Sequence, residues 1–191
     1  MGTPHPNTCD KSSMVRSRTV PLLSDLARLR KNKLAKDRLK AMVADPEPSV
    51  VSEVMYVVAQ FDGEYPHFLK QVDKWASSPQ PETQLSAIDC LALAAPRHQV
   101  AIDRLIALIK KPDWGLQPYQ RYSRGTGFSR SAPRIPKKAA IIVVGGLGAK
   151  ARTAVPILLN LMEHNNKRIA DEASNAVKSI QLDMRRKQVG K

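Results

Sequence analysis

The sequence predicts an all-α protein of about four stacked helical hairpins, a short α-solenoid. Three observations predict it. Prolines recur at a fixed 33-residue step (Pro46, Pro79, Pro112), apolar residues recur at three- and four-residue spacing on either side of them, and only 5% of the residues are aromatic against 42% apolar overall. The step marks a repeat and the spacing marks helices with one buried face. The composition suits Leu/Ala/Val-packed helices better than a β-sandwich. A chain of 191 residues is long enough for one such domain and short for two.

The elements follow in order. A flexible lead is expected over 1–19, with Met14 as an alternative start, and the repeat domain over 20–181. The first helices of the hairpins are carried by Leu34, Leu39, Met42 and Val43, then by Phe68, Leu69, Val72 and Trp75, then by Leu105, Ile106, Leu108 and Ile109. Each is followed by a polar step with its proline, which cannot continue one helix but suits the first turn of the next. Ser49 and Ser78 are the expected N-caps there. The second helices are 50–61 (VVSEVMYVVAQF), 85–95 (LSAIDCLALAA) and, after an interruption, 139–147 (AAIIVVGGL). The last of these has the β-branched run of a strand and two glycines costing a helix about 1 kcal/mol each. The repeat register nevertheless predicts a helix, with Gly148 as its C-cap. The final pair, 156–163 and 169–180, turns at Asn165-Asn166 without a proline. From Lys111 to His164 is 53 residues, so removing an insertion of about 20 restores the 33-residue step. Small residues in the second helices (Ala87, Ala92, Ala94, Ala139, Ala140, Ala173, Ala176) allow close approach of neighbouring hairpins, which must stack to bury their apolar faces. Residues 182–191 read as a basic tail on a frayed end.

The stretch 153–180, TAVPILLNLMEHNNKRIADEASNAVKSI, resembles the HEAT/armadillo class of repeats, and 19–29, TVPLLSDLARL, echoes its opening. The resemblance covers roughly 20–181 and is of family level only. It implies a right-handed solenoid. Of the family's frequent hinge pair, only Asp45 matches the Asp, and Arg168 is the nearest match to the Arg. Such repeats bind partners along their stacked faces, although two groups with similar folds are enzymes. Certain DNA glycosylases of alkylated bases use a Trp and an Asp in a basic groove, for which Asp113-Trp114 is the one adjacent pair here. Bilin lyases also use such repeats, but nothing in this sequence marks a chromophore site.

Charge is unevenly distributed. The net charge is +14. Residues 16–40 carry nine Lys/Arg against two acids, or +7; residues 41–109 carry four against nine, or −5; residues 110–138 carry eight against one, or +7. A uniform nucleic-acid groove is not built that way, so the charge is a local clue. No apolar run reaches the ~18–20 residues of a membrane span, and the first residues lack the apolar region of a secretory signal. Pro6 breaks the myristoylation pattern. Cys9 and Cys90 do not make a disulfide framework, so a reducing, cytoplasmic setting is expected. His5, His67, His98 and His164 have no metal-ligand spacing, so neither a metal nor another cofactor is expected. Gly145-Gly146-Leu147-Gly148 lacks the frame of a phosphate loop, and no nucleophile motif or carboxylate pair supports catalysis.

The informative stretch is the interruption itself, PDWGLQPYQRYSRGTGFSRSAPRIPKK, with the insertion placed at about 112–134. It and its flank supply the candidate binding residues Trp114, Tyr119, Arg121, Tyr122, Arg124, Phe128, Arg130, Arg134, Lys137 and Lys138. Long loops in compact domains are usually functional or disordered. Trp, Tyr and Arg dominate protein hot spots, while Arg and aromatics also grip phosphates and stack on bases. A tolerated insertion without a dedicated role is the third reading. A second basic patch comprises Arg28, Arg30, Lys31, Lys33, Lys36 and Lys40, with Leu29, Leu34 and Leu39 expected on the buried side. A solvated face is its plain reading, an anionic partner its functional one. The expected function is a non-enzymatic adaptor or scaffold for a protein partner, with DNA or RNA binding as the alternative. The sequence does not name the partner or the oligomeric state.

Overall fold

Several of the helices begin where a proline fixes the first turn. Pro48, Pro66, Pro81 and Pro136 each open a helix, where the missing N–H would have had no intrahelical acceptor. The computed structural model describes residues 12–29, 31–63, 65–117 and 134–189. In chain order its α-helices are α1 (Ser13–Leu29), α2 (Lys33–Met42), α3 (Pro48–Phe61), α4 (Pro66–Ala76), α5 (Pro81–Ala94), α6 (Gln99–Lys110), α7 (Pro136–Gly146), α8 (Val155–Leu161) and α9 (Lys167–Val189); a 3-10 helix, Gly148–Ala154, joins α7 to α8. The odd-numbered helices pack in succession, α1 on α3, α3 on α5, α5 on α7 and α7 on α9, while α2, α4, α6 and α8 lie against α3, α5, α7 and α9. One continuous apolar core runs through them, with Leu39, Met55, Phe68, Ile88, Leu91, Leu105, Ile141, Leu158 and Ile169 fully buried.

The stretch AAIIVVGG is helical, and its glycines differ in role. A Cβ at Gly145 would stand 2.9 Å from the Cα and Cβ of Ala176, so the absent side chain lets α7 and α9 touch nearly backbone to backbone. Ser179 adds a hydroxyl donated to the Gly145 carbonyl at 3.0 Å. Gly146 faces open space. Gly148 adopts φ +56°, ending α7 in the left-handed conformation that glycine tolerates best. Just beyond, the Ala149 N–H donates to Asp183 of α9 at 2.8 Å, and this bond, together with Lys187, holds the Asp183 carboxyl below its ordinary pKa.

Several expectations are corrected. Residues 13–19, read as lead, form the first turns of α1, because Arg16 pairs with buried Asp45 in the α2–α3 turn at 2.8 and 3.1 Å. Asp45 also accepts the Glu47 N–H at 2.9 Å. The partner of the hinge aspartate is therefore Arg16, while Arg168 is exposed at the start of α9. Residues 182–189, read as a tail, continue α9. Ser49 lies inside α3, whose N-cap is Glu47, and Ser78 precedes Gln80, the N-cap of α5, whose N–H it accepts. Leu29 and Leu34 are 71% and 79% exposed, and of the three leucines only Leu39 is buried. There are two causes. Lys31 takes φ +50° and Asn32 caps α2 through the Ala35 N–H, so Leu29 belongs to a different helix. Within α2 the five-residue step from Leu34 to Leu39 turns the side chain by about 140°, onto nearly opposite faces.

Candidate binding site: the neck of the 118–133 segment

Tyr119, Arg121, Tyr122, Arg124, Phe128 and Arg130 lie outside the described residues. The chain on either side of them is described, and it is built as a closed neck. On the incoming side, Trp114 is half-buried against the core, and its indole N–H donates to the Ala76 carbonyl at the end of α4, 2.7 Å away. Gly115 follows at φ +67°, and a Cβ there would stand 2.8 Å from the Lys137 amide nitrogen. The room is needed because that amide donates to the Gly115 carbonyl at 3.0 Å, tying incoming and outgoing chain together.

Lys137 is fully buried. Its ammonium donates to the Lys111 and Pro112 carbonyls at 2.6 and 2.8 Å. These carbonyls follow the last turn of α6, where the helix leaves acceptors unsatisfied and its dipole favours a cation. Burial pushes the Lys137 pKa below the ordinary lysine value, opposed by the charge of Asp113. Among the expected partner-binding residues, Lys137 is thus withdrawn from the surface. Lys138 reaches Glu172 of α9 at 3.3 Å. Arg134 is exposed and pairs with Asp89 of α5 at 3.3 Å. Beside it stands Tyr56 of α3, hydrogen-bonded to Ser86, its phenol pKa raised chiefly by burial and also by Cys90 and Asp89.

The second basic patch divides. Lys40 pairs with Asp62 and lies 5.1 Å from the Tyr65 ring centre, and Lys36 lies 5.7 Å from that of Phe61, so both turn toward the end of α3. Arg28, Lys31 and Lys33 are exposed around the α1–α2 turn, with Arg28 3.9 Å from Asp25, while Arg30 is outside the described residues. Neck and patch sit on different helices, α4 to α7 and α1 to α3, and are not brought together.

Sequence reasoning missed Asp89, Gly115 and the buried position of Lys137. A Trp-Gly dipeptide just past a helix end was the available signal for the turn. Within the acidic stretch 41–109, Asp45, Asp62, Asp73 and Asp89 each hold a basic side chain, from Arg16, Lys40, Arg104 and Arg134. Among the described residues no group of three His, Cys, Asp or Glu is placed to hold a metal ion, and no helix is long and apolar enough to cross a membrane. No family model, curated protein or solved structure matches the chain.

Proposed function

We propose that this chain is a non-enzymatic binding protein, a short right-handed HEAT-like solenoid that recognises a protein partner through the 118–133 segment. The observation that carries the reading is the neck. Trp114, Gly115, Arg134 and Lys137 fix both ends of a segment holding three aromatics and three arginines. Fixing both ends of a segment lowers the ordering cost of using its side chains, here Tyr119, Tyr122 and Phe128, as anchors. The solenoid arrangement is supported by the successive packing of α3, α5, α7 and α9, each with its preceding helix alongside. Cys90, a buried thiol without a disulfide, suits a reducing, cytoplasmic setting.

A protein partner is favoured over nucleic acid because many described cations already have protein acceptors. Lys137, Arg134, Lys138, Arg104, Lys40 and Arg16 are engaged within the fold. DNA or RNA binding stays the second reading, since no acidic residue occurs between Asp113 and Glu163. Fluorescence anisotropy with labelled duplex DNA, single-stranded DNA and RNA separates the two. A nucleic-acid binder making about 6–10 phosphate contacts loses about 10³–10⁵ in affinity from 50 to 200 mM salt. The protein-partner reading predicts no tight binding at either salt. Tight binding that collapses with salt and with Arg121, Arg124 and Arg130 changed to Ala reverses the order of the readings.

A further inference from the structure

Helix α1 stands at the end of the helix succession, packed on α2 and α3. Its inner side is Arg16, Val20, Leu23 and Ala27; its outer side carries Val15, Leu22 and Leu29, exposed by 44%, 67% and 71%. These three residues are seven apart, and exposed Arg18 and Asp25 fall between them. At 100° per residue all five positions fall within an arc of about 80°. The end of a stack of repeats is where an uncovered apolar face calls for a cap.

The stripe is self-complementary when reversed. About Leu22, Val15 and Leu29 lie seven residues to either side, and Arg18 and Asp25 lie four before and three after. We propose that α1 pairs antiparallel with α1 of a second copy of this chain, about a twofold axis at Leu22. Leu22 then meets Leu22 of the other copy, Val15 meets Leu29, and Arg18 meets Asp25 twice over, as a closed isologous contact requires. A parallel, in-register pair would set Arg18 on Arg18 and Asp25 on Asp25, which like-charge repulsion disfavours. Asp25 is free to turn outward because its bond to Arg28, 3.9 Å between exposed side chains, is weak. Residues 1–11 are a poor alternative cover, since MGTPHPNTCDK has one large apolar residue, Met1, for a three-residue stripe. One helix pair is a small interface, so the dimer is weak and concentration-dependent.

Sedimentation velocity on the full chain tests this at about 5 and about 200 µM, a range that spans micromolar dissociation constants. The proposal predicts that the mass rises toward a dimer at the higher concentration and that Leu22→Glu stays monomeric. Arg18→Asp and Asp25→Arg should each weaken association about tenfold, and the double exchange should recover it to within about threefold, because two charge pairs of modest strength are broken and remade. All these side chains are exposed, so unchanged circular dichroism verifies the fold. A wild-type monomer at both concentrations, a dimer indifferent to Leu22→Glu, or a double exchange no better than the singles overturns it.

Discussion

Lys137→Met removes the ammonium that answers two carbonyls beyond α6 and leaves both without their donor. Hydrogen bonds from a charged group contribute about 1.5–3 kcal/mol, so a loss of about 2 kcal/mol is expected in urea unfolding. Lys138→Met, one residue on, breaks only a half-exposed pair with Glu172 and should change stability by less than about 0.5 kcal/mol. Equal effects at the two positions would refute a buried lysine staple. The two glycines of α7 make a second contrast. Gly146→Ala adds a methyl in open space at a helical position and should stabilise by up to about 1 kcal/mol. Gly145→Ala makes the same backbone gain but drives its methyl into Ala176, and overpacking of about 1–3 kcal/mol should leave a net loss of up to about 2 kcal/mol. Thermal unfolding of the two variants, shifting in opposite directions, checks this.

At the scale of elements, the helices were legible because their apolar spacing is a local signal; Pro46, Pro79 and Pro112 marked the turns, while the prolines that open helices are Pro48, Pro66, Pro81 and Pro136. Even AAIIVVGG was legible through the repeat step, despite residues that favour a strand. The start of α1 was not, since Ser13–Thr19 has little apolar periodicity and is held by a contact 29 residues away, between Arg16 and Asp45. Nor was the turn between α1 and α2, where a basic run hides a helix break and left-handed Lys31 has no glycine to announce it. A double-mutant cycle on Arg16 and Asp45 tests the distant contact. Asp45→Ala should cost about 3 kcal/mol, because it takes the carboxylate from a largely buried guanidinium, and the Arg16→Met/Asp45→Ala pair should show coupling of about 1–3 kcal/mol. Additive effects in urea titrations would mean that α1 is held by its apolar side alone.

Across the whole molecule, the charge pattern of basic flank, acidic middle and basic block was visible in sequence, but its meaning was not. The aspartates of the middle take side chains from both flanks, Arg16 and Lys40 on one side and Arg134 on the other, with Arg104 within. These four cations thereby join helices to one another. Similarly, the stretch rich in Trp, Tyr and Arg was visible in sequence, while the building of Trp114, Gly115 and Lys137 into a neck depended on backbone carbonyls that no residue pattern reveals. Trp114 and Lys137 belong to the neck; Tyr119, Tyr122 and Phe128 carry the proposed recognition. The most direct test is quantitative affinity capture with the full chain as bait, comparing wild type with the Tyr119→Ala/Tyr122→Ala/Phe128→Ala variant at matched fold and concentration. The account predicts a protein retained by the wild type and reduced at least about tenfold by the variant, the scale of losing hot-spot anchors. Identical captured proteins in equal amounts from the two baits would contradict it.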